Sequence, residues 1–385
     1  MKKSLIAFAA LSAIAGMAQA QSTVTLYGLL DANIGSYKSN VLVGTTIQNL
    51  TQTKIESAGL NGSRWGMRVR EDLGNGLAAI GNLESGISLD TGTISGTTLF
   101  SRRANVGLTG GFGTVTIGRN SSSYDDVSGD HALMGQTIFD PSNVNNGPSA
   151  SSITALGAAF RAPVPTATAA AVNGTGLLAR TRTWVGYQTR FNNSVKYISP
   201  DFGGFSGSAM YAFNEDKTPS VGASKTVSAY LKYANGPLLV SGGYQSEGDT
   251  RSATGSKPAL ENTLLSVAYD LGVAKIGAGF NRAKLKDVFP GLSLAAQKEY
   301  NLSVAVPLGA TTLSAGVARS KGDDLGKSTG FGVQALYALS KRTTLYAGAN
   351  SIKSYDQLGN ALRLLSPTSN IGRNTTYAAG VRHTF

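Results

Sequence analysis

The feature that most constrains this chain is an alternation, with a period of two, between apolar residues and small or polar ones. Apolar residues fill the even positions of 300–306, the odd positions of 331–339 and most even positions of 24–30. The intervening positions hold glycine, serine, threonine, asparagine, glutamine and scattered charges. Because neighbouring side chains of a strand point to opposite faces, the pattern predicts strands with one apolar and one mixed face.

Alternation alone fits both a soluble sandwich and a membrane-crossing barrel, and three further observations separate them. The alternating segments are about ten residues long, which a tilted strand needs to cross a bilayer. Aromatic residues lie near the ends of the segments, as they do at membrane interfaces. Charged residues make up only 15% of the chain, whereas soluble domains carry roughly a quarter. These observations favour a barrel in a membrane.

The connections between the segments alternate between short and long. Seven short ones, most with a glycine where a tight turn needs a positive φ, lie at 71–76, 109–113, 200–204, 234–237, 270–272, 307–310 and 339–342. Eight longer polar stretches lie at about 36–53, 91–98, 120–180, 215–225, 248–260, 285–296, 321–328 and 354–373. The predicted fold is therefore all-β: a 16-stranded antiparallel transmembrane β-barrel with short periplasmic turns and long extracellular loops.

The last alternating segment ends on Phe385, the final residue of the sequence. An apolar strand at a free terminus would leave backbone groups unpaired, whereas in a closed barrel it pairs with the first strand. We expect this pairing near 24–33, with Phe385 taking part in barrel closure and assembly.

Residues 1–20 have the pattern of a secretory signal peptide. Lys2 and Lys3 precede an apolar run at 5–17, and residues 18–20 form an A-x-A cleavage site. The apolar run is too short for a membrane anchor. We expect a signal peptide at 1–20 and one barrel domain at 21–385.

Charge and residue counts exclude several classes of function. Without Lys2 and Lys3 the formal net charge falls from +12 to +10, which favours an anionic partner or a pore that concentrates anions. The sequence shows neither a basic helix nor a dense Lys/Arg cluster, so nucleic-acid binding is not expected. The chain has no cysteine and only two histidines, His131 and His383. We expect no enzyme activity, no metal site and no cofactor.

Eight short motifs occur in order along the chain and are weak singly but specific together. They are TVTLYG (23–28), SRWG (63–66), EDLG (71–74), ANVGL (104–108), FGTV (112–115), NSVKY (193–197), LSKRT (339–343) and GVRHTF (380–385). With them, essentially the whole chain after residue 20 resembles the general diffusion porins of Gram-negative bacteria, in the branch typical of β-proteobacteria.

The resemblance implies an outer-membrane channel for passive diffusion of small hydrophilic solutes and ions. It also implies a homotrimer surrounded by outer-membrane lipid and folded by the barrel assembly machinery. A third outer loop is expected to fold into the lumen and form a constriction.

Strand parity separates charges that face the lumen from those that would face lipid. An arginine facing lipid at mid-depth costs about 2–4 kcal/mol, so the wall arginines are expected to face inward. The inward parity holds Arg64, Arg68, Arg70, Arg103, Arg190 and Lys196. Arg102 has the opposite parity and is expected at the rim or beside a bulge. By the resemblance, Arg64, Arg103 and Arg190 form the basic side of the constriction, to which parity adds Arg68 and Lys196.

The long stretch at 120–180 is the third outer loop by count. It carries Asp125, Asp126, Asp130 and Asp140, and the resemblance makes the first three the acidic side of the constriction. A basic wall predicts a mild preference for anions. The part at 153–171 is longer and richer in alanine, threonine and proline than is usual in the family, so a substrate-specific channel stays open beside a general one.

Two alternatives lie outside the channel class. A barrel enzyme could use His131, which has serine and aspartate nearby in the sequence. A secreted adhesin or β-sandwich array would instead have a polar outward face along its strands.

Overall fold

The computed structural model of the chain describes residues 22–43, 46–96, 98–142, 183–213, 215, 219, 223–248, 259–287, 293–353 and 372–385. Every regular element in these ranges is a β-strand. The predicted signal peptide at 1–20 lies outside the described residues, and so does the part of the third loop at 143–182.

Eighteen strands follow one another along the described chain. They are β1 (Thr23–Val43), β2 (Thr46–Ser57), β3 (Arg64–Gly74), β4 (Leu77–Ser88), β5 (Thr93–Ile94), β6 (Arg103–Gly110), β7 (Gly113–Ser121), β8 (Arg190–Ile198), β9 (Phe205–Phe213), β10 (Lys225–Asn235), β11 (Leu238–Gly248), β12 (Ala259–Asp270), β13 (Lys275–Lys286), β14 (Gln297–Leu308), β15 (Thr311–Gly322), β16 (Gly326–Ala338), β17 (Thr343–Lys353) and β18 (Arg373–Thr384).

These strands close into one antiparallel barrel with sixteen strand positions. β2 and β3 occupy one position, because both pair with β1, β2 along residues 32–43 and β3 along residues 23–29. The two-residue β5 pairs with the end of β4, which itself pairs directly with β6 in the wall. Every other wall strand pairs with the next one along the chain, and β18 pairs with β1 to close the ring. The predicted 16-stranded antiparallel barrel is confirmed.

Most wall strands have an exposed apolar face and a buried face that is mainly polar. On β14, Tyr300 and Leu302 are 48% and 53% exposed, whereas Asn301 and Ser303 are 5% and 3% exposed. A wide apolar band on the outside of a closed barrel is stable only in contact with lipid. This outward face excludes the soluble β-sandwich, whose outward face would be polar.

The connections follow the predicted alternation, with two corrections. All seven predicted turns join strands, through two to six residues. Two of the eight predicted long loops are wrong in extent: β1 and β2 continue through most of 36–53, and only residues 323–325 separate β15 from β16. In both places a hairpin satisfies its own backbone hydrogen bonds, although its apolar residues do not alternate regularly with polar ones.

Asp31 fixes the interruption between β2 and β3. Its carboxylate accepts hydrogen bonds from the backbone N–H groups of Gly59 (3.0 Å), Leu60 (2.8 Å) and Asn61 (2.7 Å). The Tyr346 hydroxyl donates to the same carboxylate at 2.5 Å. Asp31 is fully buried, so it supplies the partners that these backbone groups lose where the strand breaks.

β18 closes the barrel against β1, and Phe385 extends the pairing by one residue. The pairs run from Leu29–Thr384 to Lys38–Thr375, and Gly28 and Phe385 exchange two backbone hydrogen bonds of 3.1 Å. The closure was expected at 24–33 and lies a few residues further along β1. The displacement arises because neighbouring strands of a barrel are staggered, which leaves residues 23–27 to pair with β3 alone.

The packing at Gly28 gives a test of this closure. A Cβ atom added there would lie 2.2 Å from Cζ of Phe385, so Gly28→Ala must displace the terminal ring. We expect a loss of about 1–3 kcal/mol in the free energy of unfolding, typical of overpacking. Urea unfolding of the detergent-folded barrel measures it.

Gly81→Ala on β4 is the matched control, because the atoms nearest to a Cβ added at Gly81 lie 3.7 Å away, at an ordinary contact distance. Equal unfolding free energies for the two variants would show that the contact between Gly28 and Phe385 does not stabilise the closure.

Candidate functional site

The segment after β7 leaves the wall and enters the barrel. We call residues 122–142 the lumen loop. Near its start, the backbone N–H of Tyr124 donates to Ser228 Oγ of β10 at 2.8 Å, and the Tyr124 hydroxyl donates to Asn281 Oδ1 of β13 at 3.0 Å. Both wall residues belong to the buried polar face. The loop is therefore attached to the inside of the wall.

The far end of the lumen loop is attached to β16 and β17. Thr137 Oγ1 donates to Gln334 Oε1 at 2.8 Å, and Gln334 Nε2 donates to the carbonyl of Met134 at 3.2 Å. The Asn350 side chain donates to the carbonyl of Ile138. The attachments thus extend from β10 to β17, which confirms that the third outer loop folds into the lumen.

Glycines on the inner face make room for the loop. A Cβ atom at Gly277 would lie 2.3 Å from the carbonyl oxygen of His131, and one at Gly332 would lie 1.9 Å from that of Phe139. Since such distances are far inside van der Waals contact, any side chain at these positions would push the loop away from the wall.

A second segment lies in the lumen beside the loop. This return segment (residues 183–189) leads back to β8 and is held by two buried wall carboxylates. The backbone N–H of Val185 donates to Glu299 Oε1 at 2.6 Å, and that of Gln188 donates to Glu247 Oε1 at 2.9 Å. The lumen is therefore narrowed by two stretches of chain on the β10–β17 side.

Aromatic contacts join the return segment to the lumen loop. The Tyr187 hydroxyl donates to Asp125 Oδ1 at 2.7 Å, and its ring meets that of Tyr124 edge-on with centroids 4.7 Å apart. Trp184 stacks on His131 with centroids 5.0 Å apart. Tyr124, Tyr187 and Trp184 are fully buried, so the two segments form one packed unit inside the barrel.

Glu84 of β4 lies at the centre of a group of basic residues on the opposite wall. Its carboxylate accepts from Arg102 Nε at 2.6 Å and from the Tyr27 hydroxyl at 2.8 Å, and it lies 3.9 Å from Arg64 Nε. Arg103 is directly opposite Glu84 in the pairing of β4 with β6, and its guanidinium has no hydrogen-bond partner among the described residues.

Arg190 and Arg68 complete the basic side. Arg190, at the start of β8, is within electrostatic range of Arg102 and Arg103, and also of the carboxylates of Asp125 and Glu84. We call Arg64, Arg102, Arg103 and Arg190 the arginine cluster. Arg68 lies below it with its guanidinium carbon 4.1 Å from the centroid of the Tyr27 ring, so it is held by a cation–π contact rather than by an acid.

The remaining predicted charges form ion pairs between the wall and the loop. Lys196 Nζ lies 2.6 Å from Asp126 Oδ2, and Lys232 Nζ lies 3.2 Å from Asp130 Oδ1. Lys196 is only 5% exposed. These pairs attach the lumen loop to β8 and β10, so Lys196, Asp126 and Asp130 do not stand in two separate rows across the lumen. Asp125 forms no ion pair with a lysine of the described chain and instead accepts the hydrogen bond from the Tyr187 hydroxyl of the return segment.

Strand parity gave no contact for Arg102 and left Glu84 unnoticed. Arg102 precedes β6 and turns its side chain inward to Glu84, because the alternation of the strand does not extend before its first residue. Glu84 could have been found from the sequence, since it shares the inward parity of β4 and would otherwise be an unpaired acid at bilayer depth.

His131 is fully buried in the lumen loop, and neither ring nitrogen has a hydrogen-bond partner among the described residues. The serine–histidine–aspartate arrangement that an enzyme would need is therefore not formed at this histidine. Within the described ranges, no group of three or more His, Asp or Glu residues is placed to hold a metal ion. The same ranges contain no helix that is long and apolar enough to cross a membrane.

Comparison with known proteins decides the family. The sequence model of the Gram-negative porins matches residues 7–357, which is most of the chain. The chain belongs to the Gram-negative porin family.

Relatives of this porin occur in several bacteria. It is 32% identical to outer membrane porin protein 32 of Delftia acidovorans, over 74% of this chain and 71% of the relative. It is 30% identical to an outer membrane porin protein of Bordetella pertussis, over 73% and 69% of the two chains. The solved anion-selective porin from Comamonas acidovorans superposes with a TM-score of 0.71 at 25% identity, covering 95% of this chain and 100% of the other.

The porin is thus a multi-pass β-barrel of the Gram-negative outer membrane that forms a channel. Its arginine cluster and its lumen loop face the same interior, and Arg190 of the cluster lies within electrostatic range of Asp125 of the loop.

Burial of His131 gives the porin a pH-dependent element. Desolvation lowers the pKa of His131 to about 4, whereas an exposed histidine titrates near 6.5. Below about pH 6.5 the unfolded chain binds a proton that the packed loop excludes, so stability is complete above that pH and falls towards pH 4. We expect a loss of about 3 kcal/mol over this window.

The free energy of unfolding, followed through Trp fluorescence between pH 7 and pH 4, measures this loss. His131→Phe keeps a ring that can stack on Trp184 but cannot bind a proton. A pH dependence that is the same in the variant and in the unaltered porin would contradict the assignment.

Proposed function

We propose that this porin passes small hydrophilic solutes passively, prefers anions mildly, and owes this preference to the arginine cluster. The observation that carries the proposal is the composition of that wall: the four arginines of the cluster share one nearby wall carboxylate, that of Glu84. The anion-selective porin from Comamonas acidovorans, with its matching fold, supports the same preference.

The pairing pattern explains why the cluster should dominate the field in the lumen. Asp126 and Asp130 are each neutralised by a lysine, so they contribute little net charge. Within the cluster, Arg64 and Arg190 each interact electrostatically with Arg102 and Arg103, so the potentials of the four add. An entering anion is concentrated next to this wall, while a cation is repelled.

The sequence implies further properties that we include in the proposal. Residues 1–20 act as a signal peptide that is removed on export, and the mature barrel assembles as a homotrimer with the help of the barrel assembly machinery. The porin has no catalytic activity. Arg64, Arg68, Arg103 and Arg190 line the basic side of the constriction and Asp125 the loop side, while the pairs of Lys196 with Asp126 and of Lys232 with Asp130 join the wall to the loop.

Single-channel recording in a planar bilayer tests the proposal. We expect conductance steps in groups of three and, under a salt gradient, a reversal potential of anionic sign. The double variant Arg64→Ala/Arg103→Ala should shift the reversal potential towards cations, because it removes two positive charges and leaves Glu84 in place.

The control for this variant is Lys341→Ala/Arg342→Ala, which removes two exposed charges from a short turn. An unchanged reversal potential in the Arg64/Arg103 variant, or an equal shift in the control, would refute the role of the cluster.

Glu84→Gln should have the opposite effect. It removes the carboxylate that two arginines of the cluster share and keeps a side chain of similar size that can still accept the Tyr27 hydroxyl. We expect a larger anion preference with little change in conductance. A shift towards cations would mean that the arginines do not set the potential that ions experience. The reversal potential under the same salt gradient measures the effect.

A further inference from the structure

Basic side chains face outward at the loop end of strands β13 to β15, just beyond the apolar band. On β13, Arg282 follows Phe280 in the outward parity; on β14, Lys298 lies two residues before the exposed Tyr300. On β15 the exposed Val317 is followed in the same parity by Arg319. The change from apolar to basic occurs at the same level on β13 and β14, and one outward position earlier on β15, where Arg319 is directly opposite Tyr300.

The strand register places these charges next to one another. Arg282 pairs with Lys298, Lys298 pairs with Lys321, and Lys321 pairs with Lys327 of β16. Arg319 lies on the same face, diagonally adjacent to Lys298. We call Arg282, Lys298, Arg319, Lys321 and Lys327 the outer basic patch. Directly opposed residues in such a pairing have Cβ atoms about 5 Å apart.

Few acidic side chains of the protein neutralise the positive charges of the outer basic patch. Among the described residues, Arg282, Lys298, Arg319 and Lys321 have neither an ion pair nor a side-chain hydrogen bond. The nearby acid on the outer face of β12, Glu261, is occupied by Lys286 at 2.6 Å. Like charges directly opposed on a sheet are destabilising, so this arrangement calls for an anionic partner from outside the chain.

The position of the patch identifies the kind of partner. Phe280 and Tyr300, whose ring centroids are 5.2 Å apart, mark the end of the apolar band in the way that aromatic residues mark a membrane interface. Basic residues immediately beyond such a boundary lie at the level of lipid headgroups. A partner that fits must place acyl chains on the apolar band and negative charge on the patch.

We propose that the outer basic patch binds the phosphate groups of lipids in the outer leaflet. The exposed apolar side chains of Leu302, Val317 and Phe331 lie beneath these charges and contact the acyl chains of lipid, so the phosphate of the same lipid is held next to the patch, whereas a free anion or a protein partner has to come from the aqueous side. A phosphate-bearing lipid covers both at once. The binding surface lies outside the barrel and is separate from the arginine cluster in the lumen.

The test uses the folded full-length barrel in detergent and the triple variant Arg282→Gln/Lys298→Gln/Arg319→Gln. Native mass spectrometry measures the dissociation constant for diphosphoryl lipid A and for the same lipid with its phosphates removed. We expect the variant to bind diphosphoryl lipid A about 100-fold more weakly than the unaltered porin. The unaltered porin should bind the phosphate-free lipid as weakly as the variant binds the diphosphoryl form.

The matched control, Lys275→Gln/Lys341→Gln/Arg342→Gln, removes the same charge from the short-turn rim and should bind diphosphoryl lipid A like the unaltered porin. Equal binding by the patch variant and the unaltered porin, or an equal loss in the control, would overturn the proposal. So would full displacement of diphosphoryl lipid A by an equal concentration of inorganic phosphate, because the patch would then be a site for free anions.

Single-channel recordings of the triple variant separate this proposal from that for the lumen. The patch lies outside the pore, so the reversal potential should be unchanged while lipid binding falls. A shifted reversal potential with unchanged lipid binding would overturn the assignment of the patch to the lipid face.

Discussion

Inside a bilayer, every backbone N–H and C=O group must find its hydrogen-bond partner within the protein, because hydrocarbon offers none. The structure depends on this requirement. It forces the strands to close through the pairing of β18 with β1 and brings the terminal Phe385 against Gly28 near the start of the chain. It also explains Asp31, whose carboxylate takes over the backbone groups left unpaired where β2 gives way to β3.

Closure leaves the polar inner face of the wall available for contacts with the chain segments that enter the lumen. On the β10–β17 side, glycines and small polar residues allow the lumen loop and the return segment to lie against the wall. On the other side, the arginine cluster surrounds Glu84, and Arg190 contacts the return segment through a hydrogen bond of 2.9 Å from its Nη1 to Thr189 Oγ1. Small inner residues make room for backbone on the first side, whereas long charged side chains occupy the second.

Ion pairing within the protein, and not position on the inner face alone, decides which charged side chains attract or repel solutes in the lumen. Strand parity correctly put Arg64, Arg103 and Lys196 on the inner face, but it gave no sign that Lys196 would be buried against Asp126. Parity also gave no sign that Arg102, just before β6, would reach Glu84. The extended hairpin of β1 and β2 escaped notice for a different reason, because its apolar residues at 41–43, 47, 50 and 55 do not alternate regularly with polar ones. Period-two patterns report burial against lipid and carry no information about contacts made across the lumen.

The strand positions, the seven turns, the direction of most wall side chains and the membership of the porin family can all be read from the order of the amino acids. They can be read because lipid imposes the same apolar parity on every wall strand, and because tight turns require particular residues. The folded barrel was needed to show which loop acids are neutralised, that residues 183–189 lie in the lumen beside residues 122–142, and that basic residues from separate strands meet on the outer face. Those outcomes depend on register and on contacts between residues far apart in the chain, such as Tyr124 with Asn281, which no local pattern encodes.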